Sequence, residues 1–279
     1  MGLTGSARIA GVMGWPVAHS RSPLLHGHWL ETCGIDGAYV PLAVPPHRFE
    51  AAFRALPFLG FRGCNVTLPH KEKALELADS VDDLSQRIGA ANTIVVGDDG
   101  ALAASNTDAF GFLENLKSRA PGWRADRPAL VLGAGGSSRA VIVALLDAGV
   151  REVRVANRTL ERAAALGERF GPSVTAVNWE ERAAAADGVG LVVNTTQLGM
   201  TGQPALDLAL DRLDGEAVVC DLVYAPLVTD LLQRARQRGH VTVDGLGMLL
   251  HQARPGFAAW FGFDPPVTEE LRSLVSRGL

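Results

Sequence analysis

The sequence predicts an α/β fold made of two α/β domains. Three observations point there. Short β-branched runs alternate with longer Ala-, Leu- and Arg-rich stretches along the chain, the pattern of βαβ units on a parallel sheet. A glycine turn at 133–136 joins one such run to a helix-like stretch, as at the start of a nucleotide-binding half. The 279 residues also sit nearer two domains than one, at roughly 150 residues per domain.

Taken in order, the first part reads as strands at Arg8–Met13, Ala38–Ala43, Phe61–Val66 and Thr93–Val96. Asp99-Gly100 reads as a hairpin turn into a last short strand, Ala101–Ala104. Helices follow Pro23, Pro46 and His70, with Ser22 as the cap and Pro23 at the first helical position, where a missing N–H costs nothing. A helix from Asp108 to about Arg119 leads into Ala120-Pro121-Gly122, a linker. Beyond it come strand Ala129–Leu132, the glycine turn, helix Arg139–Ala148 and strand Glu152–Ala156. Later strands are expected at Leu191–Val193, Val218–Leu222 and Val241–Val243, each followed by a polar or glycine-containing loop. Glu161–Arg169 and Glu181–Ala186 read as solvated helices.

Composition narrows the function classes. With 47 % hydrophobic and 20 % charged residues the chain can bury sizeable cores. Lys+Arg 26 against Asp+Glu 30 gives a net charge of −4, which excludes attachment to nucleic acid or anionic lipid by bulk positive charge. The longest apolar run, Ala140–Leu146, is far short of the ~20 residues of a membrane helix. The N-terminus shows one early cation, Arg8, and no apolar signal core, so a cytoplasmic protein is expected. Cys33, Cys64 and Cys220 are too scattered for a disulfide framework or a metal cluster, and no carboxylate or cysteine spacing turns His19, His26 and His28 into a zinc site. No metal is expected.

The cofactor signal lies in two places. Gly133, Ala134, Gly135, Gly136 and Ser137 follow a strand and open a helix, where backbone can approach a pyrophosphate at a helix N-terminus. The third small position is not glycine, so the fingerprint is imperfect. An NAD site carries Asp or Glu about 20 residues further on, at the end of the second strand. Here that place reads Asn157-Arg158-Thr159. An arginine there pairs with a 2′-phosphate, which a carboxylate would repel, so NADP is favoured over NAD. A surface arginine on a βα loop is the plainer reading.

Four polar segments sit at strand ends in the first part: Ala18-His19-Ser20-Arg21-Ser22-Pro23, Asn65-Val66-Thr67-Leu68-Pro69-His70-Lys71, Gly89-Ala90-Ala91-Asn92-Thr93 and Asn106-Thr107-Asp108. Asn194-Thr195-Thr196-Gln197-Leu198-Gly199-Met200, Asp244-Gly245-Leu246-Gly247-Met248-Leu249 and Gln252 follow in the second. In this order they closely resemble the shikimate dehydrogenase family, over nearly the whole chain. The resemblance implies residues 1–108 as a substrate-binding catalytic domain, with C-terminal helices at 246–279 packing back on it. Residues 109–245 would form a Rossmann-like NADP-binding domain, the two α/β domains standing around a cleft.

Carried over position by position, the family pattern makes Ser20 and Ser22 donors to a substrate carboxylate. It sets Asn65, Thr67, Asn92, Asp108 and Gln252 around ring hydroxyls, and Tyr224 near the carboxylate. Lys71 matches the catalytic lysine, beside Asp108. Gly133–Ser137 and Asn157, Arg158, Thr159, Leu160, Glu161 and Arg162 would bind NADP. Leu222 and Gly245 would line its nicotinamide end, with Asp83 at a position sometimes assigned to cofactor contact. Gln197 and Ser137 stand where the family often has proline and alanine, and neither change alters a reacting group. The implied reaction is the reversible NADPH-dependent reduction of 3-dehydroshikimate to shikimate, with no nucleic-acid or membrane partner and a homodimer as an assembly left open.

The residue types suit that chemistry. Hydride addition to a ketone leaves negative charge on oxygen, which a lysine ammonium stabilises and protonates. A polyhydroxylated acid needs many hydroxyl and amide partners, because each unmatched buried polar group is costly. Plainer readings stand beside each assignment: Ser20 and Ser22 could cap a helix, Asp108 could cap its own, and Lys71 could be one more exposed lysine. Asn92 could serve a turn, Gln252 face solvent and Tyr224 pack in a core. Two rivals also stay open, a relative acting on quinate or aminoshikimate with NAD, and a silent NADP-binding sensor.

Overall fold

Runs rich in apolar and β-branched residues become most of the strands in the computed structural model, which describes residues 2–279. The chain divides into two compact units, residues 1–107 with 252–275, and residues 108–251 with 276–279.

The first unit runs β1 (Arg8–Gly14), α1 (Ser22–Thr32), β2 (Gly37–Ala43), α2 (Phe49–Ala55), β3 (Phe61–Val66), α3 (Lys71–Leu77), β4 (Ser80–Val81), α4 (Asp83–Ile88), β5 (Thr93–Val96) and β6 (Leu102–Ser105). Its sheet has the order β2-β1-β3-β5-β6-β4. β2 and β3 are parallel to β1, whereas β5 runs antiparallel to β3 and β6. That mixture puts the carboxyl ends of β1, β3 and β6 and the amino end of β5 on one edge. Phe49, Phe53 and Leu56 pack on Cys64, Val66, Ile94 and Leu102.

The second unit contains α5 (Asp108–Arg119), β7 (Ala129–Leu132), α6 (Gly136–Asp147), β8 (Val153–Asn157), α7 (Leu160–Phe170), β9 (Val174–Asn178), β10 (Leu191–Asn194), β11 (Val218–Asp221), α8 (Asp230–Gln237), β12 (Thr242–Val243) and the start of α9 (Gly245–Phe261). The rest of α9, from Gln252, and most of α10 (Glu269–Ser276) belong to the first unit. Strand order is β12-β11-β10-β7-β8-β9, and every pair is parallel. Counted from β7, this is the doubly wound, Rossmann-like order 3-2-1-4-5-6, with its switch point between β7 and β10. Parallel strands are covered on both faces, and every residue of β7, β10 and β11 is buried.

Several expectations need correction. α1 starts at Ser22, one residue early, and no side chain caps it; Ser20 Oγ instead accepts the Ser22 N–H at 3.3 Å. The Ser22 side chain is buried rather than turned back on the helix. Glu181–Ala186 is no solvated helix but parts of two short 3-10 turns, Trp179–Glu181 and Ala184–Ala186. Ala186 is fully buried in the core, and Arg182 is tied to Asp207 O and Trp179 O, contacts a continuous solvated helix would not make. α6 begins three residues early, at Gly136, directly after the glycine turn. The sequence reading passed over β4, α4, β9 and α8. Two of these carry plain signals: Asp82 Oδ1 caps α4 by accepting Ser85 N–H at 2.7 Å, and Thr229 caps α8.

Candidate active site

At the shared edge of the first sheet, the strand register sets polar residues side by side. Asn65, at the end of β3, pairs with Thr93 at the start of β5, and Thr93 pairs with Ser105 at the end of β6. Their side chains form one hydrogen-bonded run. Asn65 Nδ2 donates to Asn92 O at 3.1 Å and to Thr93 Oγ1 at 3.2 Å. Thr93 Oγ1 donates to Asn92 Oδ1 at 3.0 Å, which also accepts the Thr107 N–H at 2.8 Å. Asn92 Nδ2 then donates to Gln252 Oε1 at 2.9 Å, so α9 is joined to the edge. Asn65, Asn92, Thr93 and Thr107 are all buried, and a satisfied network of this kind fixes each amide in one orientation.

Ser20 and Thr67 lie in the loops that follow β1 and β3 at this edge, and Ser22 and Lys71 open the helices after them. Ser22 opens α1 and is buried; Ser20 and Thr67 are half-buried. Lys71 is the half-buried first residue of α3, whose carbonyl accepts the Ala91 N–H at 2.9 Å, beside Asn92. The loop before it is pinned by His70, whose Nε2 donates to Val44 O at 2.7 Å while its ring stacks on Phe49 at 4.2 Å.

In the second unit the switch point has the features of a phosphate cradle. Gly133 follows β7 with φ +104°, and a Cβ there would meet Thr195 Oγ1 at 2.7 Å. Thr195, after β10, is held by donating its Oγ1–H to Leu132 O at 2.7 Å. A Cβ on Gly135 would meet nothing within 4 Å, and one on Gly136 only Arg139 Nη2 at 4.0 Å. No side chain caps α6, because the capping position is Gly135; Ser138 Oγ, inside the first turn, donates to Gly135 O at 2.6 Å. Open room beside an uncapped helix start fits the pyrophosphate of a dinucleotide. At the end of β8, Asn157 Nδ2 donates to Thr159 O at 2.8 Å and curls the loop that carries Arg158. Arg158, Thr159, Leu160, Glu161 and Arg162 are exposed, and the first carboxylate after β8 is Glu161, already inside α7. That surface suits a 2′-phosphate.

One buried carboxylate organises the neighbouring loops. Asp221, the last residue of β11, accepts from Thr229 Oγ1 at 2.6 Å, Asn194 Nδ2 at 2.9 Å and Val223 N at 3.0 Å. Asn194 Oδ1 in turn accepts the Thr196 N–H and hydroxyl, at 3.0 and 2.7 Å. Asp221 thereby ties the loop after β10, the loop with Leu222 and Tyr224, and the cap of α8. Burial pushes its carboxyl up to about 6, against the pull of Thr229, Val223 and Asn194. Gly245 lies close on that loop, since a Cβ there would meet Leu222 O at 2.1 Å.

The candidates therefore divide by unit. Ser20, Ser22, Asn65, Thr67, Lys71, Asn92 and Gln252 belong to the first, as does Asp83, exposed at the start of α4. Asp108, buried at the start of α5, belongs to the second with Tyr224, Leu222, Gly245 and the 133–137 and 157–162 segments. The sequence singles out the segments that hold Thr93, Thr107 and Asn194 without giving these three a role, and it does not single out Tyr39 or Asp221. Asp221 was findable: it is a lone carboxylate closing an apolar strand, where doubly wound sheets meet their ligands.

A doubly wound sheet whose switch point opens beside an uncapped helix is the framework of a dinucleotide-binding protein. Comparison with known proteins narrows this. Three family models match: the shikimate dehydrogenase substrate binding domain over residues 12–94, shikimate / quinate 5-dehydrogenase over 116–222, and the shikimate 5′-dehydrogenase C-terminal domain over 245–270. The chain is 60 % identical to shikimate dehydrogenase (NADP(+)) of Paramagnetospirillum magneticum, covering 98 % of this chain and 99 % of that one. It belongs to the shikimate dehydrogenase family. Among solved structures, shikimate 5-dehydrogenase of Thermus thermophilus in complex with NADP(H) and shikimate is 40 % identical, with a TM-score of 0.87 over 98 % of this chain and 100 % of that one. Quinate dehydrogenase of Corynebacterium glutamicum in complex with NAD is 30 % identical, with a TM-score of 0.89 over 96 % and 98 %.

Proposed function

We propose that the protein catalyses the reversible NADPH-dependent reduction of 3-dehydroshikimate to shikimate, within the route to aromatic amino acids. The observation that carries this reading is the single hydrogen-bonded edge in which Asn65, Asn92 and Gln252 are joined, with Ser22 and Lys71 opening helices at the same edge. A ring with several hydroxyls and one carboxylate needs such a surface, dense in amides and hydroxyls. The 133–137 turn and Arg158 with its loop would hold NADPH, which would supply the hydride.

Lys71 is assigned as the acid–base group. Its Nζ stabilises the charge developing on the ketone oxygen, gives it a proton, and as the neutral amine takes the proton back in the reverse direction. Asp108 is assigned to hold that ammonium and to accept from a ring hydroxyl. It follows directly on Thr107, whose N–H is fixed on Asn92 Oδ1. Ser20 and Ser22 are assigned to the substrate carboxylate, Thr67 and Gln252 to further hydroxyls, and Tyr224 to the carboxylate. Leu222 and Gly245 are assigned to the nicotinamide end, and Asp83 to an outer cofactor contact. Cytoplasmic action fits the three free cysteines, and among the described residues no helix is long and apolar enough to cross a membrane. A homodimer is the assembly to test, by light scattering.

A quinate-directed reading has support in the likeness to the Corynebacterium glutamicum enzyme, but the arginine and missing carboxylate after β8 oppose its NAD. NADP⁺ and NAD⁺ reduction assayed with shikimate and quinate side by side decides. Turnover is expected with shikimate and NADP⁺; faster turnover with quinate and NAD⁺ would overturn the reading.

A further inference from the structure

We infer that Tyr39 is a positioning residue for substrate recognition, which fixes the Asn65 amide so that Asn65 meets a ring hydroxyl only as an acceptor. This rests on the proposed substrate. Tyr39 lies on β2, and its hydroxyl is 2.6 Å from Asn65 Oδ1. The direction of that bond follows from the other end of the run. Asn92 O is a backbone carbonyl and can only accept, so the Asn65 nitrogen must face it, and the Asn65 oxygen must face Tyr39. Tyr39 therefore donates. Burial holds its phenol well above its usual range, so the proton is present at every working pH. Its own oxygen is left to accept, and the Ser22 hydroxyl is the side chain hydrogen-bonded to it.

Hydrogen-bond capacity then decides what Asn65 can offer. Both of its N–H groups are committed, to Asn92 O and Thr93 Oγ1, and one oxygen lone pair is taken by Tyr39. Only the second lone pair remains, so a ligand group at Asn65 must be a donor. Packing holds the arrangement: the Tyr39 ring stacks on His26 at 3.9 Å with planes 7° apart, and Trp260 lies 6.0 Å away. His26 is buried and kept neutral, its value lowered to about 3, so it serves as a flat packing surface. An arriving carboxylate is a stronger acceptor than a phenol oxygen and turns the Ser22 hydroxyl outward. The Tyr39 donation to Asn65 is untouched by that rotation.

Tyr39→Phe removes one oxygen and keeps the stacked ring. The test is steady-state kinetics of shikimate oxidation, with NADP⁺ affinity and thermal unfolding as controls. KM for shikimate should rise about fivefold to tenfold, the range of one neutral hydrogen bond. Turnover should stay within about twofold, because the bond is made equally in ground and transition states. Introduced into Asn65→Ala, the same change should move KM by less than about twofold, since the group it positions is gone. An unchanged KM in Tyr39→Phe, or a full further rise in the Asn65→Ala background, would overturn the inference. A second measurement uses the wild type, so it does not depend on a variant folding. Shikimate analogues with fluorine in place of each ring hydroxyl keep an acceptor and lose the donor. At the hydroxyl that meets Asn65, the fluoro analogue should bind no better than the deoxy analogue. Fluorine that preserves hydroxyl affinity at every position contradicts the inference. Absence of wild-type turnover with shikimate would refute the proposed function and this inference together, whereas normal wild-type turnover with an unaffected Tyr39→Phe refutes the inference alone.

Discussion

Asp221→Asn should change how stability depends on pH. Burial holds the Asp221 carboxyl at about 6 rather than at an ordinary 3.8. Between those values the folded chain keeps a proton that the unfolded chain has released, so stability falls as pH rises. The linked contribution is fully present below the ordinary value and is lost as pH passes through the folded one. At about 1.4 kcal/mol per pH unit the whole gap is worth ~3 kcal/mol, of which ~2 kcal/mol falls in a practical range from about pH 4.5 to 8. Asparagine keeps an oxygen for Asn194 Nδ2 and Val223 N and presents an amide to Thr229, whose hydroxyl turns round to accept. Urea unfolding of both proteins across that range isolates the effect, because every other titrating group is common to the pair. The variant should gain ~2 kcal/mol relative to wild type from the acid to the alkaline end. Parallel pH profiles would show that the carboxylate is hydrated, and that the ties among the loops after β10 and β11 are not those described.

Other outcomes follow from the assigned roles. Arg158→Ala should raise KM for NADP⁺ far more than KM for NAD⁺; equal use of both cofactors by the wild type would contradict the reading of the loop after β8. Ser20→Ala should weaken shikimate binding without touching NADP⁺ affinity, by roughly 1.5–3 kcal/mol for a bond to a charged group, measured calorimetrically. Lys71→Ala should lower turnover by ~10²–10⁴-fold, mostly in kcat. A folded variant within threefold of wild type, with hydride transfer shown to be rate-limiting, would remove Lys71 from its role.

The parallel half of the fold was legible because doubly buried strands such as Ala129–Leu132 and Val218–Asp221 are uninterrupted apolar runs. Short or edge elements were not: β4 has two residues and β9 lies at the sheet edge, where one-sided contact demands no strong pattern. Glu181–Ala186 misled because alanine propensity favours a helix while Arg182 and buried Ala186 bind the segment to the core, and tertiary contact overrides propensity. At the site, residues that would touch ligands stood out as polar groups at strand ends. Tyr39 did not, because it sits mid-strand in an apolar run and reaches Asn65 only through the register that sets β2 and β3 on either side of β1. The orientation of an amide, unlike its presence, is decided by partners distant in sequence.

The measurement closest to the central claim follows one atom. The protein is incubated with 3-dehydroshikimate and NADPH carrying deuterium at the transferred position of the nicotinamide, and the product is examined by mass spectrometry and NMR. Shikimate with one deuterium on the carbon that bore the ketone is the expected result. Recovery of unreacted 3-dehydroshikimate, or of shikimate without the label, would contradict direct hydride transfer from NADPH to this substrate.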